Sequence, residues 1–154
     1  MSAADGPAVL LVGAQVRGDR ASTMARFARI FHEGMSARGI TVEFQPSPVF
    51  WGGKSFAEGG GISFGELLMS FLDFPRKLRL RARRARAMRR PWVAHIADQT
   101  HAFYAKSLGI LPVVVTCHDL LAARAARGEF REVRAGWAER LFHRLVLSGL
   151  RRAN

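Results

Sequence analysis

The sequence predicts an α/β domain with a Rossmann-like, three-layer α/β/α architecture and a mostly parallel sheet. Short apolar runs at residues 8–14, 92–97 and 113–115 are typical of strands buried within such a sheet. Longer segments between them place apolar residues three and four positions apart, as amphipathic helices do. Alternating strands and helices build a parallel sheet with helices on its faces. The 154 residues are enough for a single domain with a substantial core.

Composition restricts the class of protein further. The single cysteine, Cys117, excludes an internal disulfide and suits a reducing compartment. No apolar run approaches the ~20 residues that a membrane-spanning helix needs. Residues 1–7 lack the basic start and long apolar stretch of a secretory signal. We therefore expect a cytoplasmic protein that at most associates peripherally with the inner face of a membrane.

A β–α–β unit is predicted at the start of the chain. Residues 8–14 form its first strand, and Ser22 or Thr23 can cap the helix that follows. Gly39 is expected to end this helix, and residues 40–44 form the second strand. The helix has one apolar face, which consists of Met24, Phe27, Ala28, Phe31 and Met35.

Gly13 and Gly18 lie in the turn after the first strand, and their spacing differs from the dinucleotide fingerprint Gly-x-Gly-x-x-Gly. No acidic residue follows the second strand to bind a ribose, so a nicotinamide or flavin cofactor is not expected. Two interpretations stay open. Either the turn lets a phosphate or sugar approach the backbone, or the glycines only shape the turn.

A long loop is expected at residues 46–63. Within it, Gly52-Gly53-Lys54-Ser55 is similar to the end of a phosphate-binding loop. Pro48 stands where that motif needs its first glycine, and no buried strand comes directly before it, so the motif is incomplete. A loop of this length is uncommon in a compact domain unless it is functional or mobile.

A basic helix is predicted over residues 66–90, with Pro75 as a kink or as a restart after Asp73. Residues 76–90 contain nine basic side chains and no acidic one, whereas the net charge of the whole chain is +12. The remainder is therefore close to neutral, which is weak evidence for nucleic acid as a partner. The apolar stripe of the helix consists of Phe71, Phe74, Leu78, Ala82 and Ala85.

The arginines of this helix have three interpretations. They form a solvated helix face, they bind an anionic membrane surface, or they bind nucleic acid. Nucleic acid is the least favoured because no aromatic residues interleave with the arginines to stack on bases. The candidates for a membrane surface are Arg76, Lys77, Arg79, Arg83, Arg86 and Arg90.

The second half of the chain contains two further predicted strands, at residues 92–97 and 113–115, joined by a short helix at 102–108. The run at 113–115 is expected to be buried on both faces. After a final helix, the chain is expected to stop at a helix–strand junction, before the domain is complete. The apolar face of that helix consists of Val133, Trp137, Leu141, Leu145 and Leu150.

Three predicted strands end at one edge of the sheet, and a candidate ligand-binding segment follows each of them. These segments are the Gly13–Gly18 turn, residues 98–101, and His118 with Asp119. Ligands of open α/β sheets bind at the carboxyl ends of the strands, so these groups can converge on one ligand. Carboxylate and imidazole groups suit a polyhydroxylated compound.

Other chemistries lack the residues that they need. No group has zinc-site spacing, so no metal is expected. No serine lies in a Gly-x-Ser-x-Gly elbow. Cys117 ends an apolar strand and is expected in the core rather than as a nucleophile. The acids Asp98, Asp119 and Glu129 belong to separate loops and define no glycosidase pair.

The segment Thr116-Cys117-His118-Asp119-Leu120, with Arg124 and Gly128-Glu129 after it, resembles the N-terminal domain of glycosyltransferase family 4 enzymes, which have the GT-B fold. The resemblance extends over nearly the whole chain. Weaker similarities lie at Ser22–Phe27, Phe74–Arg79, His95–Asp98, Ala102–Tyr104 and Gly149–Asn154.

The resemblance implies a retaining transferase that moves a sugar from a nucleotide-sugar donor to an acceptor hydroxyl, without an obligatory metal or other cofactor. It implies a catalytic role for His118 and donor contacts from Gly13 and Gly18. Asp98, His101 and Asp119 would bind the acceptor. Two positions depart from the family: the glycines are separated, and Gln99 replaces a histidine that is frequent in relatives, so no acid–base role transfers to Gln99.

The donor-binding C-terminal domain of that family is absent from this sequence. We therefore expect the acceptor-binding half of an enzyme, inactive alone and dependent on a missing partner domain. The alternative is a non-enzymatic α/β binding domain, attached to an anionic membrane or nucleic acid through its basic helix. A flavodoxin-like or dinucleotide-dependent enzyme is disfavoured by the glycine spacing.

Overall fold

A computed structural model describes residues 6–14, 23–48, 68–130 and 136–153 of the chain. Four parallel strands form one sheet in the order β2-β1-β3-β4. The strands are β1 (Ala8–Gly13), β2 (Thr41–Pro46), β3 (Trp92–Ile96) and β4 (Val113–Val115). The fold is α/β and Rossmann-like, as the sequence predicts.

Helices connect the strands on both faces of the sheet. They are α1 (Thr23–Ser36), a π-helical turn (Met69–Asp73) that continues into α2 (Phe74–Ala87), a 3₁₀ helix (Gln99–Tyr104) that continues into α3 (Ala105–Leu108), α4 (Leu121–Ala126) and α5 (Trp137–Leu150). α1 covers one face of β1, and α2 and α3 cover the other. Leu11 of β1 therefore packs toward α1, whereas Leu10 and Val12 pack toward α2.

The first β–α–β unit follows the prediction closely. β1 occupies most of the predicted run, and α1 begins at Thr23, one of the two predicted caps. The helix ends at Ser36, and Gly39 adopts a positive φ of 74° directly after it. Pro46 is the last residue of β2. Gly18 and residues 49–63 of the predicted loop lie outside the described residues.

The predicted basic helix is shorter than expected at its C-terminal end. Pro75 has no amide hydrogen to donate. A π turn ends at Asp73 and the α-helix begins at Phe74, which agrees with the predicted restart after Asp73. α2 ends at Ala87 because Met88 is extended, which places Arg90 outside the helix. Four of the five residues of the predicted apolar stripe are buried, and Phe71 is the exception.

Two predictions about burial are wrong. β4 lies at the edge of the described sheet, and Val114 is 45% exposed, so this strand is not buried on both faces. On α5, Trp137 is 81% exposed and Leu141 and Leu145 are exposed as well. Three residues of the predicted face therefore point outward, whereas Leu150 packs partly buried against the cluster of Ala102 and Val133 lies outside the described residues. The helix instead buries Phe142, His143, Val146 and Gly149.

Packing against the 3₁₀ helix explains this rotation of α5. A Cβ on Gly149 would lie 2.6 Å from the Phe103 amide nitrogen and would overlap the Ala102 carbonyl. Only a glycine lets the two backbones approach so closely. Phe142 and Val146 lie on the same face of α5 as Gly149 and pack with Ala102 in one cluster.

Candidate active site at the carboxyl edge of the sheet

Backbone hydrogen bonds align the carboxyl ends of three strands. The Ala97 amide donates to the Val12 carbonyl at 2.8 Å, and the Thr116 amide donates to the Ile96 carbonyl at 2.9 Å. The chain leaves β1 toward one face of the sheet and leaves β3 toward the other. A crevice forms where neighbouring strands diverge in this way, and open α/β sheets bind ligands there.

Gly13 ends β1 at this edge of the sheet. A Cβ at this position would lie 3.1 Å from the Ala28 Cβ and 3.2 Å from the Ala97 Cβ. Both distances are tighter than ordinary carbon contacts, so α1 and the end of β3 approach each other here because residue 13 has no side chain. Gly13 is buried beneath these two residues, and Gly18 lies outside the described residues, so the donor contacts of both glycines stay a prediction.

His118 reaches over the same point from the loop after β4. Its Nε2 lies 3.1 Å from the Ala97 carbonyl oxygen, which can only accept a hydrogen bond. Nε2 therefore carries the proton, and Nδ1 is the basic nitrogen of the neutral ring. Phe27 of α1 contacts the imidazole edge-on, with ring centroids 4.9 Å apart. The residue is nevertheless exposed, so His118 is both oriented and accessible.

Gln99 holds the backbone of His118. The Gln99 side-chain oxygen accepts a hydrogen bond from the His118 amide at 3.0 Å. No local pattern assigns Gln99 an orienting role, because the two residues are 19 positions apart. The one feature of the sequence that points to Gln99 is its position directly after Asp98, at the edge where β3 ends.

A hydrogen bond between His95 and Thr116 joins β3 to the loop that carries His118. His95 is buried on β3, and its Nε2 lies 2.8 Å from the Thr116 hydroxyl oxygen. Phe31 contacts the ring edge-on at 4.3 Å. Burial lowers the pKa of His95, which favours the neutral ring. Sequence reasoning missed this pair, since a histidine in the middle of an apolar strand carries no signal for its partner.

Asp98 and His101 lie beside the crevice but are buried. Asp98 caps the 3₁₀ helix, where its carboxylate accepts a hydrogen bond from the Thr100 amide at 2.8 Å. His101 stacks on Tyr104, and its Nδ1 has no hydrogen-bond partner among the described residues. Burial lowers the pKa of His101, and the charge of Asp98 partly opposes this shift. Their acceptor contacts stay a prediction.

Asp119 and Cys117 are exposed in the loop that leads into α4. The Asp119 carboxylate accepts a hydrogen bond from the Leu121 amide at 3.1 Å and so caps α4. The prediction of a core cysteine is wrong, because β4 ends at Val115 and Cys117 lies beyond it. Desolvation, together with the charges of Asp119 and Asp98, raises the pKa of the Cys117 thiol, which disfavours a thiolate nucleophile.

The basic side chains predicted to face a membrane fall into two groups: those that pair with other protein groups, and those that are exposed without a described ion pair. Lys77 pairs with Asp73 at 2.7 Å, and the Arg86 guanidinium donates to the Ile110 carbonyl at 3.0 Å. Arg90 folds back to donate to the Gly6 carbonyl at 3.1 Å, and to a second carbonyl and a hydroxyl nearby. The remaining membrane candidates, Arg76, Arg79 and Arg83, are exposed and have no ion pair with another described residue.

In the described segments, no three His, Cys, Asp or Glu side chains come together as a metal site. None of the helices in those segments is both long and apolar enough to cross a bilayer. Comparison with family models, curated proteins and solved structures finds no match to this chain.

Proposed function

We propose that this chain is the acceptor-binding half of a retaining glycosyltransferase that uses a nucleotide-sugar donor. The observation that carries the proposal is the placement of His118, an oriented and accessible imidazole above the crevice between β1 and β3. The resemblance of residues 116–120 to family 4 transferases supplies the reaction class.

The arrangement suits hydroxyl recognition. Since Nε2 of His118 donates to the Ala97 carbonyl, Nδ1 can accept a hydrogen bond from a sugar hydroxyl. Phe27 and Gln99 hold the imidazole ring and the backbone of that residue, so little side-chain entropy is lost when a ligand binds. The nucleotide would be held by the second domain, so the chain alone should bind acceptor without transferring sugar.

Acceptor binding tests this proposal directly. Saturation-transfer NMR on the purified chain, with a panel of mono- and disaccharides and sugar-terminated lipid analogues, should reveal at least one ligand. His118→Ala should abolish its signal. His32→Ala is the matched control, since the His32 ring faces Phe44 of β2, and it should bind the ligand like the wild type.

Two results would contradict the proposal. A ligand whose binding is unchanged in His118→Ala would place recognition elsewhere. Robust sugar transfer by the isolated chain, measured with uridine- and guanosine-diphosphate sugars, would show that no second domain is required.

A second candidate function is attachment to an anionic membrane through α2. Leu68, Met69 and Leu72 are exposed just before the helix, and Arg76 and Arg79 follow on its exposed surface. Exposed apolar residues next to free cations are typical of segments that lie in the membrane interface. A lipid-linked acceptor would make this attachment part of the transferase function.

Vesicle sedimentation tests this second candidate. The wild-type chain should sediment with phosphatidylglycerol vesicles and stay in solution with phosphatidylcholine alone. The triple variant Arg76→Gln, Arg79→Gln, Arg83→Gln should lose most of this binding, since each basic residue contributes ~1 kcal/mol near an anionic surface. Equal sedimentation of both proteins would refute it, and retention on an oligonucleotide instead would favour nucleic acid.

A further inference from the structure

A cationic cavity lies between α4 and α5, where the mechanism proposed above assigns no role. Its volume is about 330 Å³, at the small end of the range for small-molecule sites. Its basic lining residues are Arg127 from the end of α4 and Arg140, His143 and Arg144 from α5. Ala126, Gly128 and Leu147 complete the lining.

The charges of this lining are poorly balanced. Arg140 and Arg144 are one turn apart on α5, and like charges at this spacing destabilise a helix. Arg127 lines the same cavity. Its Nε lies 3.7 Å from one carboxylate oxygen of Glu129, and the other oxygen of that carboxylate pairs with Arg124 at 2.7 Å. None of the described lining residues is acidic. A bound anion would remove the repulsion among the guanidinium groups.

His143 contributes a largely buried ring to the lining of the cavity. Its Nδ1 has no hydrogen-bond partner among the described residues and almost no exposed surface, so this atom does not face the cavity. Burial lowers the pKa of His143, and the charge of Glu139 opposes this shift. The guanidinium groups of Arg127, Arg140 and Arg144 are therefore the groups available to a ligand in this cavity.

We propose that this cavity binds the phosphate group of a phosphate- or diphosphate-bearing compound. Arginine forks bind oxyanions through two parallel hydrogen bonds, and a dianionic phosphate matches several guanidinium groups better than a single carboxylate does. The phosphate belongs either to a soluble ester or to a lipid headgroup. The proposal does not depend on sugar transfer at His118.

Calorimetric titration with inorganic pyrophosphate, in 0.15 M salt to screen non-specific attraction, tests the cavity. The wild-type chain should bind one pyrophosphate per molecule. The double variant Arg140→Gln, Arg144→Gln should bind at least tenfold more weakly. The matched control Arg26→Gln, Arg29→Gln removes the same charge from exposed positions of α1, away from the cavity and from the basic surface of α2, and should bind like the wild type.

NMR of the histidine rings provides a readout that does not depend on heat signals. Pyrophosphate should shift the ring resonances of His143 in the wild type and the control. Circular dichroism of each variant verifies that it is folded. Sedimentation with phosphatidate vesicles separates the two sources, since a lipid headgroup ligand predicts weaker sedimentation of the Arg140→Gln, Arg144→Gln variant than of the control.

The outcomes decide the proposal. Pyrophosphate or phosphatidate binding that is lost only with the α5 arginines supports it, and the probe that binds identifies the source. Binding that weakens equally in both double variants would reveal a general charge effect and overturn it. The absence of binding to either probe would overturn it as well.

Discussion

Gly149→Ala should destabilise the protein, although alanine is the better helix former. A methyl group on residue 149 would lie 2.6 Å from the Phe103 amide nitrogen and would overlap the Ala102 carbonyl. Backbone atoms cannot rotate away, so α5 must move by about an ångström or more to restore an ordinary contact with the Ala102 carbonyl. That movement would loosen the packing of Phe142 and Val146 on the 3₁₀ helix.

The expected size follows from two opposing terms. Overpacking of this kind costs about 1–3 kcal/mol, and exchanging glycine for alanine within a helix gains at most about 1 kcal/mol. Because the overlap is with backbone atoms, the cost lies at the upper end of that range, and we expect the free energy of unfolding to fall by roughly 2 kcal/mol in the variant. Urea unfolding followed by circular dichroism measures it.

Gly34→Ala is the matched control, because it makes the same exchange within α1. The nearest atom to a Cβ there is the end of the flexible Arg38 side chain, at 3.5 Å. This variant should gain about 0.5–1 kcal/mol in stability from helix propensity alone. If Gly149→Ala stabilised the protein as Gly34→Ala does, the close approach of α5 to the 3₁₀ helix would be wrong.

Three further predictions concern single side chains. Burial lowers the pKa of His95 below 6.5, so the unfolded chain binds more protons than the folded one in mildly acidic solution. The contribution of His95 to the free energy of unfolding should therefore be fully present above pH 6.5 and fall as the pH is lowered to 5. For one histidine the fall is at most about 1.4 kcal/mol per pH unit. His95→Gln should reduce this dependence in urea titrations at several pH values. Asp98→Ala removes the cap of the 3₁₀ helix and should cost about 1 kcal/mol, whereas Asp98→Asn retains an acceptor oxygen and should cost less, as measured by thermal unfolding. Arg90→Ala breaks the hydrogen bonds that tie residue 90 to the start of β1 and β2 and should cost about 1 kcal/mol, whereas Arg89→Ala, at an exposed neighbour, should leave the urea midpoint unchanged.

The local periodicity of apolar residues was sufficient to predict the secondary structure of the first half of the fold. β1, α1 and β2 could be predicted because each is a short-range pattern of apolar residues between glycine and proline signals. The buried stripe of α2 could be predicted for the same reason, since its charged residues leave only one face to bury. The end of β4 also places His118 at the carboxyl edge whatever the remaining packing is.

Tertiary structure decided what periodicity leaves undetermined. α5 is apolar over much of its circumference, so the buried face was selected by contact with the Ala102 carbonyl at Gly149 and not by the pattern of leucines. The position of β4 at the edge of the described sheet exposed Val114.

The sequence by itself determined the parallel α/β fold and brought His118 to the carboxyl edge of the sheet, because strand direction and local pattern are sufficient for both. Only the tertiary structure decided that Ala97, Phe27 and Gln99 orient that histidine and that three arginines share one cavity. Such contacts join residues far apart in the chain, and no local pattern encodes the distance between them.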